Sequence, residues 1–375
     1  MNGLYVHVPF CKSKCYYCDF YSVTNSAEQA DFSGLISQEV DFRENYLADK
    51  SVDTLYFGGG TPTLLSLEQL NDVLNKLKLT FRVDKQSEIT IEANPDDLTS
   101  ENLKAYKSMG FNRISIGTQS FFDEHLLMMN RRHTADQAKD SITMAHDLGF
   151  QNISIDLIYG IPGMTMDQWI ANLEIAIKLP ANHVSAYHLS IEPGTKFGRL
   201  KRAGKLFEIS DDDSVDQYKL LREIMLANGF EHYEISNFAK PGYYSRHNSK
   251  YWNGEAYLGL GPSAHSFNGH QRHWNPASLK KYINDVKDKR IPKGEIINAL
   301  TKRNEYVMTH LRTSKGIDGH DFQALFGESE WLGFLAMAEK YFINGQLKQY
   351  NNRVWFDCEA WFYSDGILSD LFIVQ

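Results

Sequence analysis

Short apolar, β-rich runs recur through the first half of the chain: LYVHV from position 4, VDTLYF from 52, EITIEA from 88, RISIG from 113, NISIDLI from 152 and HVSAYHL from 183. Enriched in β-branched and aromatic residues, they predict six strands. Between them the apolar spacing changes to three and four. Leu67, Leu70, Val73, Leu74 and Leu77 share one helical face, as do Leu103, Tyr106 and Met109. Three helices open with a Ser/Thr-x-x-Gln box, at Ser66/Gln69, Thr134/Gln137 and Thr165/Gln168, where side chains answer backbone donors that the first helical turn leaves free. Gly110 and Gly149 stand where a left-handed terminator is needed, each followed by Phe and an Ile-x-Ile strand, and Gly229-Phe230 repeats the pattern before HYEIS.

Strand and helix in alternation specify a parallel sheet covered by helices. Six strands in about 190 residues fall short of the eight that close a full barrel. The predicted fold is therefore α/β, an open six-unit (β/α) partial barrel, with ligands expected at the carboxyl ends of its strands. The Gly- and charge-rich segment 192–214 reads as the exit from the barrel. Three domains are predicted: the barrel over 1–205, a barrel extension over 206–299, and a small α+β, winged-helix-like domain over 300–375 containing the hairpin LKQYNNRVWF with Asn351-Asn352 at its turn.

Composition narrows the class. Hydrophobic residues at 42 % and charged residues at 23 % are ordinary globular values and argue against a disordered or fibrous chain. A formal charge of −8, from 39 basic and 47 acidic side chains, leaves no broad basic face for a phosphate backbone, so nucleic acid is not an expected partner. MNGLYVHVPF lacks the parts of a signal peptide, and nowhere do about 18 apolar residues run together. The expectation is a cytoplasmic protein, with peripheral contact at a membrane left open. Three of the four cysteines crowd into CKSKCYYCDF as Cys11-x3-Cys15-x2-Cys18, with Cys358 far away. That is a poor disulfide framework and reads as a metal site in a reducing compartment.

Three thiolates on one polar loop can hold three irons of a 4Fe-4S cubane and leave the fourth iron open to an exchangeable ligand. A zinc site would need a fourth donor such as His7, Asp19 or Cys358, and structural zinc favours paired Cys-x2-Cys or Cys/His units. The second strand ends in YFGGGTPT, whose glycines let a ligand approach the backbone. A bare Gly-rich turn is the competing reading. Polar residues end the later strands: Glu92 and Asn94 in TIEANP, Gln119 in SIGTQSF, Asp156 in SIDLIYGIPG, with Arg131 following in MNRRH. A carboxylate at an apolar strand tip is costly unless paired, so either Glu92 meets Arg131 or these residues share a ligand.

The cysteine spacing, followed by an aromatic and by GGGTP, resembles the radical S-adenosylmethionine superfamily. LYVHVPFC, GGGTPT, IEANP, GTQSF and DLIYGIPG are similar to its oxygen-independent coproporphyrinogen III oxidase-like group, across nearly the whole chain. The resemblance implies a 4Fe-4S cluster on Cys11, Cys15 and Cys18, with S-adenosylmethionine chelating the open iron. It further implies Gly59, Gly60 and Thr61 along the methionine end, and Tyr5, Glu92, Gln119, Arg131 and Asp156 as additional S-adenosylmethionine contacts.

Within that group the oxidases continue the motif to a further cysteine, whereas here position 20 is Phe, as in the heme chaperone family. RHNSKYWNG holds His247, Asn248, Tyr251 and Trp252 in the HNxxYW pattern of those chaperones. A neutral imidazole can ligate heme iron, and Tyr and Trp can wall a flat apolar ligand. A satisfied histidine beside core aromatics is the plain alternative, and His265 in GPSAHSF competes as ligand. The expectation is a heme chaperone with heme and heme-accepting proteins as partners, membrane respiratory enzymes and a homodimer included, and no enzymatic role assigned. The rival is a coproporphyrinogen III oxidase acting through radical oxidative decarboxylation. Cys358, in FDCEAWF, is expected as a packed thiol.

Overall fold

The computed structural model describes residues 1–24 and 27–374. Six parallel strands, β1 (Asn2–Val8), β2 (Ser51–Gly59), β3 (Arg82–Ala93), β4 (Arg113–Gln119), β5 (Asn152–Tyr159) and β6 (His183–His188), lie side by side in chain order. β1 does not meet β6, so the barrel is open, as the strand count predicts. The three Ser/Thr-x-x-Gln boxes form in full at Ser66, Thr134 and Thr165, and Gly110 is left-handed (φ +102°) at its helix end.

The sheet runs further than the sequence suggests. β7 (Glu231–Glu234) and β8 (Asn237–Ala239) add antiparallel strands beyond β6. On the other side β9 (Tyr257–Leu260) pairs parallel to β1, followed by antiparallel β10 (His265–Phe267), β11 (Gln271–Trp274) and β12 (Lys293–Ile296), for twelve strands in all. The C-terminal part folds as helix Ala299–Leu311, β13 (Ile317–Asp318), helices Gly319–Phe326 and Glu328–Ile343, and the hairpin of β14 (Leu347–Tyr350) and β15 (Arg353–Phe356). Asn351 and Asn352 are both left-handed at the hairpin turn, the geometry of a two-residue type I′ loop.

Successive side chains alternate between the faces of a strand. Leu4, Val6, Leu55, Phe57, Ile89, Ile91, Ile114, Ile116, Ile153 and Ile155 form the buried outer face under the helices. The inner face is polar and aromatic: Tyr5, Thr54, Tyr56, Glu88, Glu92, Arg113, Ser115, Ser154, Asp156, His183 and Ser185 follow one another in register.

One buried ion pair ties the helix Phe32–Arg43 to the added strands. Arg43 donates to Glu39 at 2.9 Å, to the Gly259 carbonyl at 2.8 Å and to Ser266 at 2.8 Å. Glu39 also accepts from Gly261 N, Asn275 and the Tyr282 hydroxyl. Every charge is thus answered, and removing one member strands the rest. Glu39→Ala is expected to lower unfolding free energy by about 3–5 kcal/mol. Urea denaturation reads this, and a loss under about 1 kcal/mol would mean the network is dispensable.

Candidate functional site

The cysteine loop leaves the carboxyl end of β1 and is pinned at several points. Cys11 N donates to the Val23 carbonyl and Val23 N to that of Pro9, while Tyr16 N donates to the Met129 carbonyl and Phe197 N to that of Tyr16. Cys11, Cys15 and Cys18 all line one cavity of about 400 Å³ at the carboxyl ends of the strands. Gly59, Gly60, Thr61, Glu92, Gln119, Arg131 and Asp156 line it too. The structure therefore gathers ten of the residues singled out in the sequence. Tyr5 is not among them; it lies a layer deeper, its hydroxyl paired with His7 Nδ1 at 3.1 Å.

The glycine run is dictated by protein packing. A Cβ at Gly58 would stand 2.8 Å from the Glu92 carboxylate, and one at Gly59, where φ is +106°, would stand 2.6 Å from the His7 ring. Gly59 N donates to Glu92 Oε2 at 3.1 Å and Tyr56 Oη to Oε1 at 2.7 Å. Gln119 takes a left-handed backbone (φ +67°) at the irregular end of β4, a conformation uncommon without glycine.

Arg131 bonds Asn94 Oδ1 at 2.6 Å and the Gly117 carbonyl at 2.7 Å, and points its other amine at Cys15 Sγ, 3.4 Å away. Glu92 is thus answered by Tyr56 and Gly59 rather than by Arg131. Burial pushes the Glu92 carboxyl up to about 7, although Tyr56 opposes the shift. Burial likewise lifts Asp156 to about 6, against the hydrogen bond from Ser185. The thiols of Cys11 and Cys18 are raised for the same reason.

These residues fit a cubane with an exchangeable ligand. Three soft thiol donors share one cavity with two carboxyls and a guanidinium. Among the described residues no three His, Cys, Asp or Glu side chains converge as they would on a single metal ion. Of the further donors weighed for zinc, His7, Asp19 and Cys358, none lines the cavity. His7 has both ring nitrogens engaged, by Tyr5 and by the Tyr21 carbonyl. Phe20 stands at the cavity wall, 71 % exposed.

The HNxxYW segment is elsewhere. His247, the second residue of the helix Arg246–Trp252 across the amino ends of β1–β3, inserts its ring into the barrel floor, 1 % exposed. Its ring nitrogens pair with Thr54 Oγ1 and Tyr251 Oη, both at 2.9 Å, and it stacks on Tyr5 and Tyr56. The amides of Arg246 and His247 donate to the Glu88 carboxylate. Trp252 keeps a buried indole N–H without a partner. Cys358, expected as a packed thiol, is only partly buried.

Sequence reading missed Tyr17, Ser115, Tyr187 and His188 on the cavity wall. The last two end β6, and the signal that exposed Glu92 and Asp156, a polar residue at a strand tip, was there to be applied to a sixth strand.

Residues 5–176 match the profile of the Radical SAM superfamily. A protein named heme chaperone HemW from Bacillus subtilis (strain 168) is 35 % identical over 333 residues, 88 % of each chain. HemW of Escherichia coli (strain K12) is 35 % identical over 266 residues, 70 % of this chain and 69 % of its own. The chain belongs to the HemW family of heme chaperones. This HemW-family fold also matches the structure of coproporphyrinogen III oxidase (HemN) from Escherichia coli, with a TM-score of 0.86 at 22 % identity over 99 % of this chain and 89 % of that one. Through the Radical SAM superfamily, the family brings with it a 4Fe-4S cluster and S-adenosylmethionine.

The raised Glu92 carboxyl carries a sign. The folded chain holds its proton more tightly than the unfolded chain, so stability falls as pH rises from about 4.5 to about 7 and the loss is complete above that. Such a shift corresponds to about 3 kcal/mol. Glu92→Gln, which keeps an acceptor for Tyr56, is expected to be more stable than the parent at pH 8 and equal to it near pH 4. Thermal melts of the metal-free protein across pH check this; parallel curves would contradict it.

Proposed function

We propose that this protein binds heme and hands it to acceptor proteins, and that its cavity holds a 4Fe-4S cluster on Cys11, Cys15 and Cys18 with S-adenosylmethionine at the open iron. Phe20 carries the choice of chaperone over oxidase. It presents an exposed aromatic ring at the cavity wall where the oxidases are expected to bring another thiol, and relatives sharing about a third of their residues with this chain are named heme chaperones. A cluster held by Cys11, Cys15 and Cys18 would supply an open iron that the amino and carboxylate groups of S-adenosylmethionine could chelate, and the protein's own groups would do the rest. Gly59, Gly60 and Thr61 border one side, Glu92 and Asp156 offer anionic charge, and Arg131 braces Cys15. Tyr5 acts from beneath, through the aromatic layer it forms with Tyr56.

Acceptors are proteins, respiratory enzymes at the cytoplasmic membrane surface among them. Among the described residues no helix is long and apolar enough to cross a membrane.

Two assays run in parallel test the reading. The metal-free protein titrated with hemin is expected to give a saturable Soret band at one heme per chain. Anaerobically reconstituted protein given S-adenosylmethionine, reductant and coproporphyrinogen is expected to form no protoporphyrinogen. Protoporphyrinogen formation without stoichiometric hemin binding would make the protein an oxidase.

Glu92 and Asp156 also give the cofactor a pH signature. A cationic ligand favours their ionised forms, so binding expels protons and tightens as pH rises from 6 to 8. Calorimetry on the cluster-loaded protein is expected to show this rise, flattened in Glu92→Gln. An equally steep rise in the variant would remove Glu92 from the ligand.

A further inference from the structure

We infer that Asn94 is a positioning residue for the cluster: it aims Thr61 at Cys11 and Arg131 at Cys15, and so raises the reduction potential of the iron-sulfur centre those thiolates hold. This rests on the 4Fe-4S reading and goes beyond it by assigning what sets the electron affinity of the site.

Asn94 follows the last residue of β3 and precedes Pro95. A proline ring bars the residue before it from the helical region. Asn94 is accordingly extended (φ −88°, ψ 145°), and its carbonyl accepts the amide of Asp97 at 3.0 Å. With the backbone fixed at the strand tip, the side-chain amide lies between residues of two other elements. Its Nδ2 is 3.1 Å from Oγ1 of Thr61, just past β2, and its Oδ1 is 2.6 Å from Nη2 of Arg131, beyond β4. Thr61 Oγ1 in turn is 3.6 Å from Cys11 Sγ, and Arg131 Nη1 is 3.4 Å from Cys15 Sγ. One unbroken line therefore joins two cysteines through Thr61, Asn94 and Arg131.

The direction of each bond in that line is forced. A guanidinium only donates, so Arg131 must face the amide oxygen of Asn94. The amide nitrogen is left to Thr61, and because it too only donates, the Thr61 oxygen must accept. The hydroxyl proton is then committed elsewhere, and the acceptor it meets is Cys11 Sγ. Thr61 is 4 % exposed, which shields that bond from water. Arg131 is constrained in the same way: Nη2 serves both Asn94 and the Gly117 carbonyl, at 2.7 Å, which leaves Nη1 for Cys15.

A hydrogen bond on a thiolate sulfur stabilises the more negative, reduced form of the cluster it ligates. Thr61 and Arg131 supply such bonds to two of the three sulfurs, and Asn94 orients both donors. Asparagine suits the place because it offers one acceptor and one donor. An aspartate would accept from both neighbours and draw the Thr61 proton off Cys11.

The midpoint potential of the anaerobically reconstituted full-length protein tests this, read by electron paramagnetic resonance during stepwise reduction with dithionite in the absence of S-adenosylmethionine. The variants are Thr61→Val, Thr61→Ser, Asn94→Asp, and Asn94→Asp combined with Thr61→Val. At the parental midpoint Thr61→Val is expected to lower the ratio of reduced to oxidised cluster about threefold, the worth of one hydrogen bond, and Thr61→Ser to keep the parental ratio. Asn94→Asp is expected to lower the ratio at least as far, and adding Thr61→Val to it to change nothing more, since the hydroxyl has already turned away from Cys11. Full additivity in the combined variant would reduce Asn94→Asp to a plain charge effect and overturn the inference, as would a parental ratio in Thr61→Val. Where Asn94→Asp takes up no cluster by iron and sulfide content, the two Thr61 variants decide: a fall in Thr61→Val that Thr61→Ser does not show supports the inference, and equal ratios overturn it. A parent protein that assembles no 4Fe-4S cluster would overturn the cluster reading itself.

Discussion

The inward face of the six parallel strands is polar, and a partial barrel can tolerate that only if its interior groups bond one another. Closed barrels of this general type fill their centre with Val, Ile and Leu. Here the layers run from Glu88, Arg113, Thr54 and His183 at the floor to Glu92, Ser115 and Asp156 at the rim. Buried polar groups without partners cost several kcal/mol each. At the floor most of the debt is met internally: Glu88 caps the helix carrying His247, Thr54 takes one of its ring nitrogens, and Ser154, His183 and Tyr233 form a chain, while Arg113 faces Glu88 at 3.9 Å with its Nε unbonded and Thr90 Oγ1 also has no partner. Only the uppermost layer opens to the cavity. The raised carboxyls of Glu92 and Asp156 follow from this position, since they are half-buried at the cavity wall without a cation close enough for an ion pair among the described residues.

The same constraint explains the glycines. Glu92 reaches its two donors by occupying the space a side chain at position 58 would fill, and His7 fills that at 59. The run YFGGGTPT was therefore legible as a close approach, but the party approaching is partly the protein itself. Arg131 then links the two halves of the site. By holding Asn94 and Gly117 at the strand ends while pointing at Cys15, it fixes the cysteine loop relative to the carboxyl layer.

Helix starts and stops were readable because each rests on a few adjacent residues: the three capping boxes form as written, and Gly110 ends its helix left-handed. The cysteine loop and the strand-tip residues were readable for the same reason. The inner polar layers were not, because RISIG or NISIDLI shows alternation without saying which face is enclosed. Nor were β9 to β12, whose three or four residues give too short a pattern, and whose place beside β1 depends on pairings some 250 residues apart. The floor position of His247 was out of reach altogether. Its partners Thr54 and Glu88, on two different strands, meet it only once the sheet has formed.

The added strands and the cysteine loop share one braced scaffold. Tyr21, just past the last cysteine, accepts His7 of β1 at its carbonyl and the amide of Leu279, in the helix after β11, at its hydroxyl. Gly261, at the end of β9, lies so close over the His7 backbone that a side chain would stand 2.3 Å from its carbonyl oxygen. The cysteine loop, β1 and the strands bearing His265 and Trp274 are consequently joined by short, directional contacts rather than by a flexible linker. Pre-ordered groups lose less entropy on binding. The thiol donors of the loop are therefore held from two sides before any ligand arrives.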